Sequence, residues 1–165
     1  MPRIIENLYA ATLAAIIAIG TPIAALAFDQ NSAAEVNVDS AGVGIKGFDP
    51  VAYFTVGKPT PGDKLYSATH AGVTYHFASA RNRDLFKADP NKYAPAYGGF
   101  CAMGVALEKK FDGDPQAWYI GPDGRLYLNV TPDTQKVWLK DVNGNIGRGN
   151  SNWPTIKSRT PISLN

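Results

Sequence analysis

Tyr66-Ser67-Ala68-Thr69-His70, then Ala71-Gly72, then Val73-Thr74-Tyr75-His76-Phe77-Ala78-Ser79 is the stretch that decides the fold. Two runs of strand length, rich in β-branched and aromatic residues, flank a two-residue turn, which is the pattern of a β-hairpin. With Ala71-Gly72 as the loop, His70 pairs with Val73 and Ser67 with His76. Side chains alternate along a strand, so His70 shares a face with Tyr66, Val73, Tyr75 and Phe77, and His76 lies on the opposite, solvent-facing side with Thr69 and Thr74. Ser79 can then cap a helix over Ala80 to Ala88, which Asp89-Pro90 stops and restarts as a short turn through Tyr93.

The same reading extends in both directions. Asp49-Pro50 places a capping carboxylate before a proline at the start of a short helix, and Lys58 to Lys64 is a Pro/Gly loop. Gly121-Pro122-Asp123-Gly124, between Ala117–Ile120 and Arg125–Val130, predicts a second hairpin. Thr131-Pro132-Asp133 opens a helix to about Asp141 with Val137 and Trp138 on one side, and Asn152-Trp153-Pro154 begins an irregular tail. No internal repeat is evident. Hairpins alternating with short helices, without a βαβ series, give an α+β fold of one small domain.

The chain has 165 residues, 16 Gly, 12 Pro and a formal net charge of +2, which fits one turn-rich domain and lacks the basic stripe of a nucleic-acid binder. Residues 1–27 carry Arg3, an apolar run from Leu8 to Ala27 and a small-x-small site at Ala25-Leu26-Ala27. They are expected to be a secretory signal peptide rather than an anchor, because Gly20 and Pro22 break the run; the mature chain would be periplasmic or secreted, with no stable membrane span. Residues 28–43 read as a linker or loosely docked N-terminal arm, and 44–165 as the folded domain. One Cys permits no intramolecular disulfide and no cage of several thiolates, so an exported Cys101 must be buried, liganded or used.

The ordered set Gly47-Phe48-Asp49-Pro50-Val51-Ala52-Tyr53-Phe54, His70 to Ser79, Asn82-Arg83, Asp89 to Tyr93 and Tyr97-Gly98-Gly99-Phe100-Cys101-Ala102 resembles the exported YHS-domain proteins over residues 44–155. The resemblance implies a small domain with a hairpin-then-helix core, in a family often suggested to bind metals. In its metal-associated relatives the hairpin ends in Phe-Cys-Ser-x-x-Cys. Here the matching run is Phe77-Ala78-Ser79-Ala80-Arg81-Asn82, so both thiolates are replaced and that metal site does not carry over.

Three readings of Cys101 follow. Placed after Gly98-Gly99 at the start of a helical segment, its thiolate would be favoured by backbone N–H groups, and with Met103 and His70 it would suit a soft metal ion, copper or zinc, or a small ligand nearby. A Cys101–His70 contact would instead support thiol redox chemistry. The third reading is a structural or interaction module in which Cys101 packs as an inert small hydrophobe. No nucleophile elbow, phosphate loop, dinucleotide fingerprint or His-Glu-x-x-His is present, so a binding domain is expected rather than an enzyme. Asp112, Asp114, Asp123, Asp133 and Asp141 are expected in turns and caps, and Tyr93, Tyr97, Trp118, Tyr119 and Tyr127 in the core.

Overall fold

The structure, a computed structural model, describes residues 28–164; the expected signal peptide over 1–27 lies outside the described residues. The chain is a single α+β domain. It runs through α1 (Ala52–Thr55), β1 (Asp63–His70), β2 (Val73–Phe77), α2 (Ala80–Ala88), α3 (Pro90–Tyr93), α4 (Ala102–Ala106), β3 (Asp114–Ile120), β4 (Leu126–Asn129), α5 (Pro132–Trp138) and α6 (Val142–Ile156). The two sheets are separate antiparallel hairpins, β1–β2 and β3–β4. Among the described residues no helix is long and apolar enough to cross a membrane.

The first hairpin has the expected register, His70 with Val73 and Ser67 with His76. Val73, Tyr75 and Phe77 are buried on one face and pack with Phe86 of α2, because the period-2 pattern of β2 sends alternate side chains to the core. His76 departs from expectation. It is half-buried rather than solvent-facing, because Gly47 and Gly62 bring a chain segment across that face. A Cβ at Gly62 would overlap the His76 backbone, so only glycine permits this approach.

Ser79 and Asp89 cap α2 and α3, accepting the backbone N–H of Asn82 and Lys92, each at 3.2 Å. In α5, Trp138 is fully buried but Val137 is 48% exposed, so the two do not share a face: neighbouring helix positions point about 100° apart. The segment around Asn152-Trp153-Pro154 is not an irregular tail but the last turns of α6. Gly144, Gly147, Gly149 and Pro154 argue locally against a helix. Packing overrides them: Ile146 and Ile156 join the Trp138 core, and Gly149 lets the Tyr97 ring approach closely enough for its hydroxyl to donate to the Ile146 carbonyl at 3.2 Å.

Residues 28–43 are a docked arm. Val38 bridges Gly44, Val43 bridges Thr74, Phe28 packs edge-on to Phe100, and the Asn37 N–H donates to the Gly98 carbonyl at 2.8 Å. The arm crosses directly over Gly98, whose φ of +61° and lack of a side chain are both required, since a Cβ there would overlap the Glu35 carbonyl oxygen. Gly98→Ala is therefore expected to lift the arm and cost about 1–2 kcal/mol. Limited proteolysis between residues 28 and 40 should accelerate, and unchanged protection would refute the docking.

Candidate functional site

Four polar or charged residues are buried among the described residues: Asp49, Lys110, Asn129 and Asn145. Asp49 is fully buried, and both of its carboxylate oxygens are occupied. Oδ1 accepts the N–H groups of Val51 at 2.8 Å and Ala52 at 3.3 Å, the start of α1. Oδ2 accepts the N–H of Ala78 at 2.8 Å and the Asn82 side-chain amide at 2.6 Å, where β2 enters α2. Four donors aimed at one carboxylate offset the large cost of burying it. Ala78 and Asn82 are the two positions at which the resemblance expects thiolates, and both now serve Asp49.

Cys101 is the N-cap of α4, as its place after Gly98-Gly99 predicts, and it is fully buried. Its Sγ accepts the Gly104 N–H at 3.4 Å, and the thiol faces the Asn129 Oδ1 at 3.8 Å. Burial pushes the thiol up, outweighing the opposing pull of N–H groups from Gly104, Val130 and Met103. The neutral thiol is thus the resting form, the reverse of the activated thiolate that a helix start alone suggests.

Asn129, which sequence reading passed over, completes this centre. It is fully buried at the end of β4; its Oδ1 accepts the Met103 N–H at 3.2 Å, and its Nδ2 has no partner among the described residues. Trp138 Nε1 is likewise without a partner. A polar residue closing the apolar run Leu126-Tyr127-Leu128 was the one available signal, and it reads equally well as the first residue of a turn.

The structure does not bring the three sequence candidates together. His70 packs edge-on to Phe86 with ring centres 6.0 Å apart and lines an open hollow of about 220 Å³ with Thr69, Lys87 and Pro90. Cys101 lies between Phe100 and Ala102 of the second core cluster, bridges Leu128 of β4 and turns its sulfur to Asn129. Met103 is half-buried on that cluster's fringe with Phe28 and Trp153. Among the described residues no group of three or more His, Cys, Asp or Glu side chains could hold a metal ion.

The acidic residues occupy turns, caps and ion pairs. Asp114 accepts the Gln116 N–H at 2.9 Å, Asp123 accepts the Tyr127 hydroxyl at 2.6 Å, Asp141 caps α6 through Gly144 at 3.0 Å, and Asp112 pairs with Lys46 at 2.7 Å. Asp133 pairs with Lys136 on the surface at 2.8 Å. Lys110, which the sequence did not single out, is buried and donates to the carbonyls of Ala34, Lys157 and Arg159 at 2.9, 2.9 and 2.8 Å. Its ammonium also stands 4.4 Å from the Phe100 ring centre, so one side chain clasps the N-terminal arm and the C-terminal segment to the core.

Scans of this chain against protein-family models, curated proteins and solved structures return no match.

Proposed function

We propose that the chain is an exported, non-catalytic binding or interaction module of the YHS type in which Cys101 is a structural thiol, neither a metal ligand nor a nucleophile. The observation that carries this reading is the state of the sulfur: fully buried, held neutral, and used as the cap of α4. A thiol-redox role has no support from His70, whose ring rests on Phe86 in the other core cluster. A small ligand has an open surface hollow available instead, lined by His70, Thr69 and Lys87.

Accessibility decides between the readings. Under native conditions at neutral pH, iodoacetamide is expected to leave Cys101 unmodified, with full labelling only after denaturation. Any uptake of Cu(I) or Zn(II) by the native protein should be the same in Cys101→Ala as in the wild type. Rapid labelling of the native protein, or metal affinity lost specifically in Cys101→Ala, would overturn the proposal.

A further inference from the structure

The element order contains a recurrence that sequence reading did not find. A 3-10 turn, a short helix, a hairpin and a capped helix occur first over 45–93 and again over 97–145. Most matching positions are 52 apart, as Gly47 is from Gly99. Backbone detail follows the same offset. Ile45, Lys46 and Gly47 have φ of 50°, 49° and 78°, and Tyr97, Gly98 and Gly99 have 52°, 61° and 81°. Three consecutive left-handed residues are rare enough that their repetition in the same context is not a coincidence of local propensity.

The hairpins share an irregularity as well. In the first, Asp63 pairs with Phe77 but Ser67 with the adjacent His76; in the second, Asp114 pairs with Asn129 but Trp118 with Leu128, the same excess of residues on the first strand. Asp63 accepts the Leu65 N–H and Asp114 the Gln116 N–H, each at 2.9 Å. Caps correspond too: Ser79 with Thr131, and Asp89 with Asp141, each accepting an N–H three residues on. The core pair Tyr75–Phe86 has ring centres 4.9 Å apart, and Tyr127–Trp138 has them 5.3 Å apart.

In this correspondence Asp49 matches Cys101. The N–H of Asp49 donates to the Thr60 carbonyl at 2.9 Å, and that of Cys101 donates to the Phe111 carbonyl at 2.9 Å. The N–H groups that bind the Asp49 carboxylate, those of Val51, Ala52 and Ala78, match in position Met103, Gly104 and Val130; of these the Gly104 N–H donates to Sγ at 3.4 Å, as its counterpart Ala52 does to Asp49, and the Met103 N–H donates to the Asn129 Oδ1 at 3.2 Å. The start of α4 thus supplies a donor to Sγ, and the end of β4 brings the Asn129 side chain against it. Independently, the buried Asn129 amide turns its Oδ1 to that sulfur at 3.8 Å, and its Nδ2 has no hydrogen-bond acceptor among the described residues. In the first unit the corresponding side chain is Phe77, and the side-chain amide donor comes from Asn82 instead.

We infer that the chain is an internal duplication of one structural unit, and that Cys101 occupies a second anion seat whose first copy holds the Asp49 carboxylate. The inference extends the structural reading of Cys101 given above. The second seat keeps the Gly104 donor and the equivalent backbone around it but holds a neutral occupant; turning the Asn129 amide over would release the Met103 N–H from Oδ1 and bring Nδ2 to a negative group there.

Cys101→Asp tests this directly. A carboxylate at a fully buried position normally unfolds a domain or titrates far above its usual range. Here the variant is expected to keep a cooperative unfolding transition. Relative to wild type, its midpoint should rise between pH 3 and pH 5 and then stay level to pH 7. The sign follows from linkage: donors that favour the charged form depress the folded carboxyl, so its stabilisation is present above the unfolded value and lost as pH falls through the folded one. A carboxyl in a merely apolar site would give the opposite slope, losing stability as pH rises through 4–7. As a second measurement, Cys101→Gly opens the seat, and formate should raise its midpoint while leaving wild type unchanged. A falling midpoint from pH 4 to 7 in Cys101→Asp, or an unfolded Cys101→Asp together with no formate effect on Cys101→Gly, overturns the inference. Native-state labelling of Cys101, which would overturn the functional proposal, is a separate outcome.

Discussion

Asp49→Ala is expected to lower the free energy of unfolding by about 3–5 kcal/mol, the range for breaking a buried charged group's hydrogen bonds while its partners stay inside. The carboxylate is the joint between two segments: one oxygen holds the start of α1 and the other the β2–α2 junction. Removing it strands the N–H groups of the buried Val51 and Ala52 and leaves the Ala78 N–H and the half-buried Asn82 amide without their shared acceptor. Asp49→Asn is the informative companion. It keeps one acceptor oxygen but turns an NH₂ toward at least one pair of donors, so it should recover only part of the loss. Urea unfolding with a common slope for all three proteins measures the difference. A loss below about 1.5 kcal/mol in Asp49→Ala would mean that the four contacts are not what holds the two segments together.

Lys110→Met is expected to cost about 2–3 kcal/mol at pH 7 and to free both chain ends from the core. The stem is replaced at similar volume, so the effect isolates the ammonium, whose three carbonyl partners come from residues 34, 157 and 159. Burial pulls the Lys110 ammonium down to about 8, because the three carbonyls and the Phe100 face replace hydration only in part. Between pH 8 and about 10.4 the unfolded chain holds a proton that the folded chain has released, so the unfolding free energy contributed by this residue rises with pH. Below pH 8 its contribution is level. The wild-type minus Lys110→Met difference should therefore grow by about 1–2 kcal/mol from pH 8 to 10, a value reduced for partial screening. A difference that shrinks over that interval would show that the carbonyl cage, not desolvation, dominates.

Local chemistry was legible wherever a residue's effect reaches only its neighbours in sequence. Ser79, Asp89 and Thr131 cap the helices that follow them, and Ala71-Gly72 sets the register that pairs His70 with Val73. The sequence places Cys101 at a helix start but leaves the activated thiolate and the inert buried thiol both open, because desolvation depends on what covers the sulfur rather than on what precedes it. α6 was missed for the same reason. Its glycines and Pro154 speak against a helix until Tyr97, Ile146 and Ile156 are seen to bury one face of it.

The duplication was invisible for a different reason. The two units share Gly47 with Gly99, Phe48 with Phe100, Tyr75 with Tyr127 and Asp89 with Asp141, but most equivalent positions differ in type, including Asp49 against Cys101 and Phe77 against Asn129. What repeats is backbone conformation and hydrogen bonding, which many side chains can satisfy.

By itself, then, the sequence determined the fold class, both hairpins with their turns, and most of the caps, since these rest on short-range sterics and on the two-residue period of strands. Only the tertiary structure decided that the arm is clasped by Lys110, that His70 rests on Phe86 while the Cys101 sulfur faces Asn129, and that the single thiol is the neutral counterpart of a buried carboxylate. Those outcomes depend on burial and on donors brought from residues far apart in the chain, and neither is encoded in any local run of residues.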